Sequence, residues 1–414
     1  MENKKNSWDT TKVVLAITAC VAVLALVGLL VWMVMSGMIT VNMGGKDKTP
    51  VETGLSYTVS DAAALAGNKT VVANIGSAEV TNGQLQIHYW SQVYNFISTY
   101  GAYLSYFGLD FTQPLSEQMY DATNDMTWEE FFLEMALDSW SQMAIIAEMA
   151  EEEGFTLSQE QQDALEQMIL TLDESVASYG YKTLEEMLDK EMGKGTTRED
   201  YIAYIKLDYL CSAYVSYLRE KNQPNQTQIE DYYAANESSI TSAGYGKDKG
   251  KVVDVRHILI KPEGGTLNSD GYTYTYTDAQ WEAARQKAQV VYDLWLAGDK
   301  DEDSFAELAK KNSADTSASA GGLITNIAKG NTVETFDAWI FADGREYEDH
   351  GLVKSVYGYH IMFYVTAEEA WIRYCEASYA NEVVSAKIEK FAESYKLETD
   401  YDNIALGGVD FSES

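Results

Sequence analysis

The pattern of apolar and polar positions divides the chain into stretches of different character. An unbroken apolar run extends from Val13 to Met35. At about 1.5 Å of rise per residue it is long enough to cross a hydrocarbon core of about 30 Å, which predicts a transmembrane helix. Lys4, Lys5 and Lys12 precede it, placing residues 1–12 in the cytoplasm and the remainder of the chain outside. Residues 36–70, rich in Gly, Lys, Thr and Ser, read as a linker. A short strand is expected over Thr70–Ile75, with a turn near Gly76.

A helical periodicity then dominates, and residues 71–245 read as one helical domain. In its clearest helix Trp128, Phe131, Phe132, Met135, Ala136, Trp140, Met143, Ala144 and Ala147 recur on one face. That helix opens at Thr127 with Glu130 three residues on, the signature of a capping box. Ser158 with Gln161, Thr183 with Glu186, Thr197 with Asp200, and Thr227 with Glu230 predict four further helix starts.

The pattern changes near Val252. Val253–Ile260 reads as a buried strand. Thr277 with Gln280 opens a helix to Leu296, and Ser304 with Glu307 opens another. A short helix near Phe336 and a strand over Tyr359–Val365 follow. This β-α-α-β order predicts a small α/β domain over 252–366. Residues 367–400 return to helix, with Trp371, Ile372, Cys375 and Tyr379 on one face. A lone helix needs a surface on which to bury such a stripe, and the helical domain is the expected one. The α/β domain is then an insertion, the whole chain is α+β, and 401–414 form a tail.

Composition narrows the function classes. A net charge of -34 disfavours nucleic acid and anionic lipid as partners. It suits basic or unfolded ones, although solubility alone accounts for it equally well. Cys20, Cys211 and Cys375 show no metal-ligand spacing, and no cofactor is expected. Cys211 and Cys375 read as two buried thiols, with a disulfide as the alternative. Ile17-Thr18-Ala19-Cys20 is similar to a lipoprotein processing box, but cleavage there would leave a long apolar run on the mature chain, so an uncleaved anchor is preferred. His88, beside Tyr89 and Trp90, reads as packing, and His350 as solvated.

The α/β unit resembles a parvulin (PpiC-type) domain. The resemblance rests on Val255-Arg256-His257-Ile258-Leu259, Phe305-Ala306-Glu307-Leu308-Ala309, Ser313 through Gly322, Val333 with Phe336-Asp337, and Tyr357-Gly358-Tyr359-His360-Ile361. The flanking helices resemble, more loosely, the chaperone part of PrsA/SurA-type foldases. They do so through Met126–Leu157, Gly180–Met192 and Gln228-Ile229-Glu230-Asp231-Tyr232-Tyr233. The resemblance implies an FKBP-like fold for the inserted domain and cis-trans isomerisation of X-Pro bonds in unfolded or folding secreted proteins. It implies His257, Asp315, Ser355 and His360 as the catalytic core, and Ile324, Thr332 and Phe336 as the proline pocket. Thr332 stands where the family usually has Met, and Gly321-Gly322-Leu323-Ile324-Thr325 departs from its usual GGDLG run. Two alternatives stay open: the histidines as a purely structural pair, and a chaperone that holds clients without catalysis. A homodimer is conceivable, and nothing in the sequence demands it.

Overall fold

The computed structural model describes residues 55–269 and 274–411. The anchor Val13–Met35, the tail 1–12 and Cys20 lie outside them. Among the described residues no helix is long and apolar enough to cross a membrane. The chain divides into two compact units, the first running to Gln223 and resuming at Ala380, the second comprising Pro224–Tyr379.

In the first unit the long helices Asn82–Tyr100, Trp128–Glu152 and Arg198–Lys221 share a core containing Val93, Phe132, Leu137, Ile145, Tyr201 and Tyr214. Val384 and Ile388, from the end of the Ala370–Ala392 helix, join that core. Capping boxes form at Thr127, Ser158 and Thr197, as their sequence spacing predicts. Thr183 accepts from the Glu186 N–H.

Two readings of this unit need correction. The described part of the expected linker holds a strand, Thr58–Val59, and a helix, Asp61–Gly67. Ser60 caps that helix, and its Ala- and Leu-rich run is a strong helix former. The expected tail is also ordered. Ala405–Leu406 pairs in parallel with Thr58–Val59. The side chain of Asn82 holds both backbone groups of Ala405, at 2.7 and 2.8 Å.

The second unit is built on a four-stranded antiparallel sheet. Its order is His350–Lys354, Tyr359–Glu369, Lys251–Ile260, Leu323–Ala328. Alternation along the two central strands gives each face its own core. Ile258, Ile260, Ile361 and Phe363 pack beneath helices Asp278–Ala297 and Glu302–Asn312, against Trp295 and Phe305. Val253, Val255, Met362 and Tyr364 face Phe336 and Ile340 of the short helix Glu334–Ile340. By the same alternation His257 and His360 belong to the Phe336 face.

The expected β-α-α-β order lacks two strands, Leu323–Ala328 and His350–Lys354. Both are edge strands of five or six residues. One contains Asn326 at φ 57° and the other begins His-Gly, so neither alternates cleanly. Two caps move as well. Asp301 rather than Ser304 caps Glu302–Asn312, its Oδ1 accepting from the Ser304 N–H at 2.8 Å. Asn225 with Gln228, rather than Thr227 with Glu230, forms the box of Gln226–Ser242. That helix clusters with the sheet rather than with the helical unit to which the sequence assigned it. Its Ile229, Tyr233 and Ile240 bury Trp371 and Cys375, which supplies the partner surface their apolar stripe requires.

Candidate active site

The two histidines come together because their strands are hydrogen-bonded neighbours in which Met362 pairs with His257 and Leu259 with His360. Their rings are 2% and 4% exposed. They stack at 5.3 Å with 18° between planes, and the two Nδ1 atoms lie 3.0 Å apart. His257 Nε2 lies 3.2 Å from Asp315 Oδ1 and 3.3 Å from Ser317 Oγ. His360 Nε2 lies 2.7 Å from Ser355 Oγ, which also accepts the Tyr357 N–H at 3.0 Å.

Donor and acceptor capacity orients this chain. An ionised carboxylate only accepts, so His257 Nε2–H donates to Asp315, and the Nδ1 of a neutral His257 must accept. His360 Nδ1–H supplies that bond, which leaves His360 Nε2 to accept the Ser355 O–H. Every member is then satisfied with both imidazoles neutral. Burial, assisted by the neighbouring His257, lowers His360 to about 4, in accord with a neutral ring. The hydrogen bond from His257 holds the Asp315 carboxyl well below the usual carboxylate range, outweighing partial burial, and Ser317 reinforces it.

Asp315 is presented by a short loop. It caps the Thr316–Ala320 turn by accepting the Ser317 N–H at 2.9 Å, and the Ser317 hydroxyl donates to it at 2.6 Å. Gly321 and Gly322, at φ 67° and 74°, turn the loop back so that the His257 N–H donates to the Gly322 carbonyl at 2.8 Å. Arg256 ties the loop down. Its Nη1 donates to the carbonyls of Ala320 and Gly321 at 3.0 and 3.1 Å, and its Nε to Glu302 at 2.8 Å.

Phe336 meets both imidazoles edge to face, at 5.4 and 5.2 Å. Ile324 is half-buried against the same cluster. Thr332 is half-buried and turns its hydroxyl toward Asp337 Oδ1 at 3.5 Å. His257, Asp315, Ser355, His360 and Phe336 therefore form one contact network, Ile324 packs in the apolar cluster that holds Phe336, and Thr332 contacts Asp337 of the Phe336 helix. Sequence reasoning missed Ser317 and Arg256. The Asp-x-Ser spacing of Asp315 and Ser317, which favours local side-chain to backbone bonds, was the available signal for the first. Nothing local marks the second.

The other two histidines lie elsewhere. His88 is buried in the helical unit against Tyr204 at 4.9 Å. His350 is exposed but opens an edge strand and meets Trp295 at 4.9 Å, so it is not a loop residue. Cys211 and Cys375 are buried free thiols. A concavity of about 400 Å³ lined by Lys251, Phe341, Arg345, Tyr347 and Tyr364 among others contains no member of the histidine network. Among the described residues no group of three or more His, Cys, Asp or Glu is placed to hold a metal ion.

This arrangement puts a dry, oriented imidazole pair behind a partly exposed carboxylate, beside an aromatic wall. Residues 257–366 match the family described as Rotamase, PPIC-type PPIASE domain. The segment is such a domain, as the resemblance implies. Foldase protein PrsA 1 of Listeria innocua serovar 6a is 36% identical over 187 residues, covering 38% of this chain and 61% of that protein. Foldase protein PrsA of Staphylococcus aureus strain Newman is 32% identical over 159 residues, covering 34% and 45%. The chain thus spans less than two thirds of the length of these relatives. A crystal structure of PrsA from Bacillus subtilis aligns at a TM-score of 0.34 and 18% identity, over 65% of this chain and 90% of that one.

Proposed function

We propose that this chain, with its parvulin-type isomerase domain over residues 257–366, is a membrane-anchored extracytoplasmic foldase. It catalyses cis-trans isomerisation of X-Pro bonds in secreted proteins and holds them while they fold. The anchor reading rests on Val13–Met35 and the lysines before it. The activity rests on one observation: the unidirectional chain Ser355–His360–His257–Asp315 beside Phe336.

Rotation about a peptide bond is opposed by about 18–20 kcal/mol of amide resonance, and X-Pro isomerisation takes tens to hundreds of seconds unaided. A catalyst must favour the twisted amide, in which the nitrogen is pyramidal and the carbonyl regains ketone character. Phe336 and Ile324 offer a wall for the proline ring. The Asp315 carboxylate, fixed by His257 and Ser317, supplies a negative field that disfavours amide resonance in a bound substrate. His360, a neutral imidazole, supports His257 from behind.

The test is isomerisation of short Ala-X-Pro-Phe peptides by the chain and by Asp315→Ala. A loss of roughly 100-fold in kcat/KM, with circular dichroism unchanged, is expected. An unchanged rate in Asp315→Ala and in His257→Ala would remove the mechanism. The second reading, client holding without catalysis, is favoured by the polar Thr332 in the flank of the pocket. It is adopted if the wild-type chain accelerates none of these peptides.

A further inference from the structure

The helical unit exposes aromatic side chains where a folded surface ordinarily does not. Tyr103 and Tyr106, on the short turn Gly101–Phe107, are 58% and 86% exposed, and Tyr100, Phe107, Met119 and Tyr120 are each more than a third exposed. Their rings fall into two contacting groups. Tyr103 lies 6.2 Å from Tyr106, Tyr100 5.7 Å from Phe107, Phe107 6.3 Å from Trp128, and Trp128 4.9 Å from Tyr120. A contiguous exposed apolar patch marks an interaction site far more often than scattered apolar residues do.

Two observations say what covers it. The first is charge. From Thr70 to Tyr181 the chain contains no lysine or arginine, while acidic residues recur throughout. Asp110, Glu117, Asp121 and Asp125 sit on the segments that carry the patch. Hydrogen bonds from Thr112 hold the Asp110 carboxyl below its usual range, and those from Asn124 and Thr123 do the same for Asp121. Asp110 and Asp121 are therefore held as anions, and no cation of their own segment competes for them. The second is Trp128 at the base of the patch. It is 2% exposed, and its indole N–H has no hydrogen-bond partner. A main-chain carbonyl reaching it past Phe107 or Tyr120 would satisfy a donor that the free protein leaves buried and unpaired.

We infer that the surface from Tyr100 to Tyr120 docks extended, net-basic polypeptide segments in which Arg or Lys alternates with apolar side chains. The tyrosine faces take the cations and the apolar groups, and the acidic rim repels acidic chains. Cation–π contact and charge complementarity act together there. An acidic segment meets the same rings but a repulsive rim. The inference rests on the client-holding part of the function proposed above, and it names the site and the class of client.

The test measures fluorescence anisotropy of three short unfolded peptides on the full chain: one alternating Arg and Phe, one with Glu in place of Arg, one with Ser in place of Phe. The Arg–Phe peptide should bind, the other two roughly tenfold or more weakly, and added salt should narrow the gap between the Arg and Glu peptides. Tyr103→Ser with Tyr106→Ser, both at exposed positions, should weaken the Arg–Phe peptide roughly tenfold. Glu117→Lys should weaken the Arg–Phe peptide and strengthen the Glu peptide. Equal binding of the Arg and Glu peptides, unchanged binding in the double variant, or no binding of any peptide overturns the inference. So does a wild-type dimer in sedimentation that the double variant abolishes, because the patch then belongs to a second copy. Isomerisation of Ala-X-Pro-Phe is followed on the same samples and should be unaffected by the double variant. Failure of catalysis with peptide selectivity intact is therefore distinguishable from failure of the docking surface.

Discussion

Two buried polar sites, one in each unit, are treated in opposite ways. In the sheet unit His257, His360 and Ser355 each have a hydrogen-bond partner, and the chain ends on Asp315. In the helical unit Asp208 is 2% exposed with one carboxylate oxygen lacking any partner. Burial alone raises its carboxyl to about 8. In a wired site a change of protonation must break a hydrogen bond as well as alter solvation. An isolated buried acid keeps its charge state only until the solvent proton activity overrides desolvation. The difference separates a part of the molecule arranged for chemistry from a part arranged for packing, and three measurements press on it.

The largest effect should come from disturbing the backbone that carries the wiring. Gly322 has φ 74°, and a Cβ there would sit 2.2 Å from the His257 carbonyl oxygen. Gly322→Ala must therefore move the Asp315 loop away from the central strand, or strain both. A destabilisation of about 3 kcal/mol or more is expected. It would be read as faster hydrogen exchange along Lys251–Ile260 and near-complete loss of isomerisation. A variant with wild-type protection and rate would show that the loop is not held by that contact.

A smaller effect tests the other side. The folded-state value of Asp208 lies above its unfolded one of 3.8, so folding retains a proton that the unfolded chain releases. The associated stability is fully present below about 4 and is lost as pH rises through about 8. His360 behaves in the opposite sense. Its value falls from 6.5 to about 4, so its contribution is present above 6.5 and is lost as pH falls through 4. His88, lowered to about 3 by burial, gives the helical unit an acid limb too, which offsets the Asp208 loss up to about 6.5, so the helical unit declines above that value. Asp208→Asn should stabilise the helical unit at both pH values and by about 2 kcal/mol more near pH ~9 than near pH ~6, because the stability tied to the retained proton keeps falling up to about 8. Denaturant midpoints at the two pH values check this, and an equal shift at both would mean that Asp208 does not titrate.

How much of this could be read in the sequence depends on distance along the chain. Local rules succeeded. Thr127, Ser158, Thr197 and Thr277 cap helices because an N-cap and its third residue are neighbours by construction. The adjacency of His257 and His360 was legible because each lies in a strongly apolar strand. What failed depended on remote partners. The segment Ile404–Leu406 looks like a tail until Asn82 and the Thr58–Val59 strand are placed beside it. The edge strands Leu323–Ala328 and His350–Lys354 have one sheet neighbour each, so little of their pattern is constrained. Arg256 carries no local mark, because its role is set by carbonyls more than sixty residues away.

The smallest effect concerns the apolar flank of the wired site, where Thr332 replaces the methionine usual in the family that the domain resembles. Its hydroxyl makes only a 3.5 Å contact with Asp337 Oδ1, and that oxygen already accepts the Gly330 N–H at 2.8 Å. Losing the hydroxyl should therefore cost the turn little. A methionine side chain extended along Phe336 would add apolar surface for a proline ring, so Thr332→Met should raise kcat/KM on Ala-X-Pro-Phe peptides roughly threefold. Protein stability should be nearly unchanged, because the added chain lies at a half-buried position and fills no existing core. A gain confined to KM would mean that the pocket grips planar and twisted prolyl bonds alike, whereas a gain in kcat would place residue 332 where the two states differ. No gain in either would detach Thr332 from the proline pocket and leave Phe336 and Ile324 as its wall.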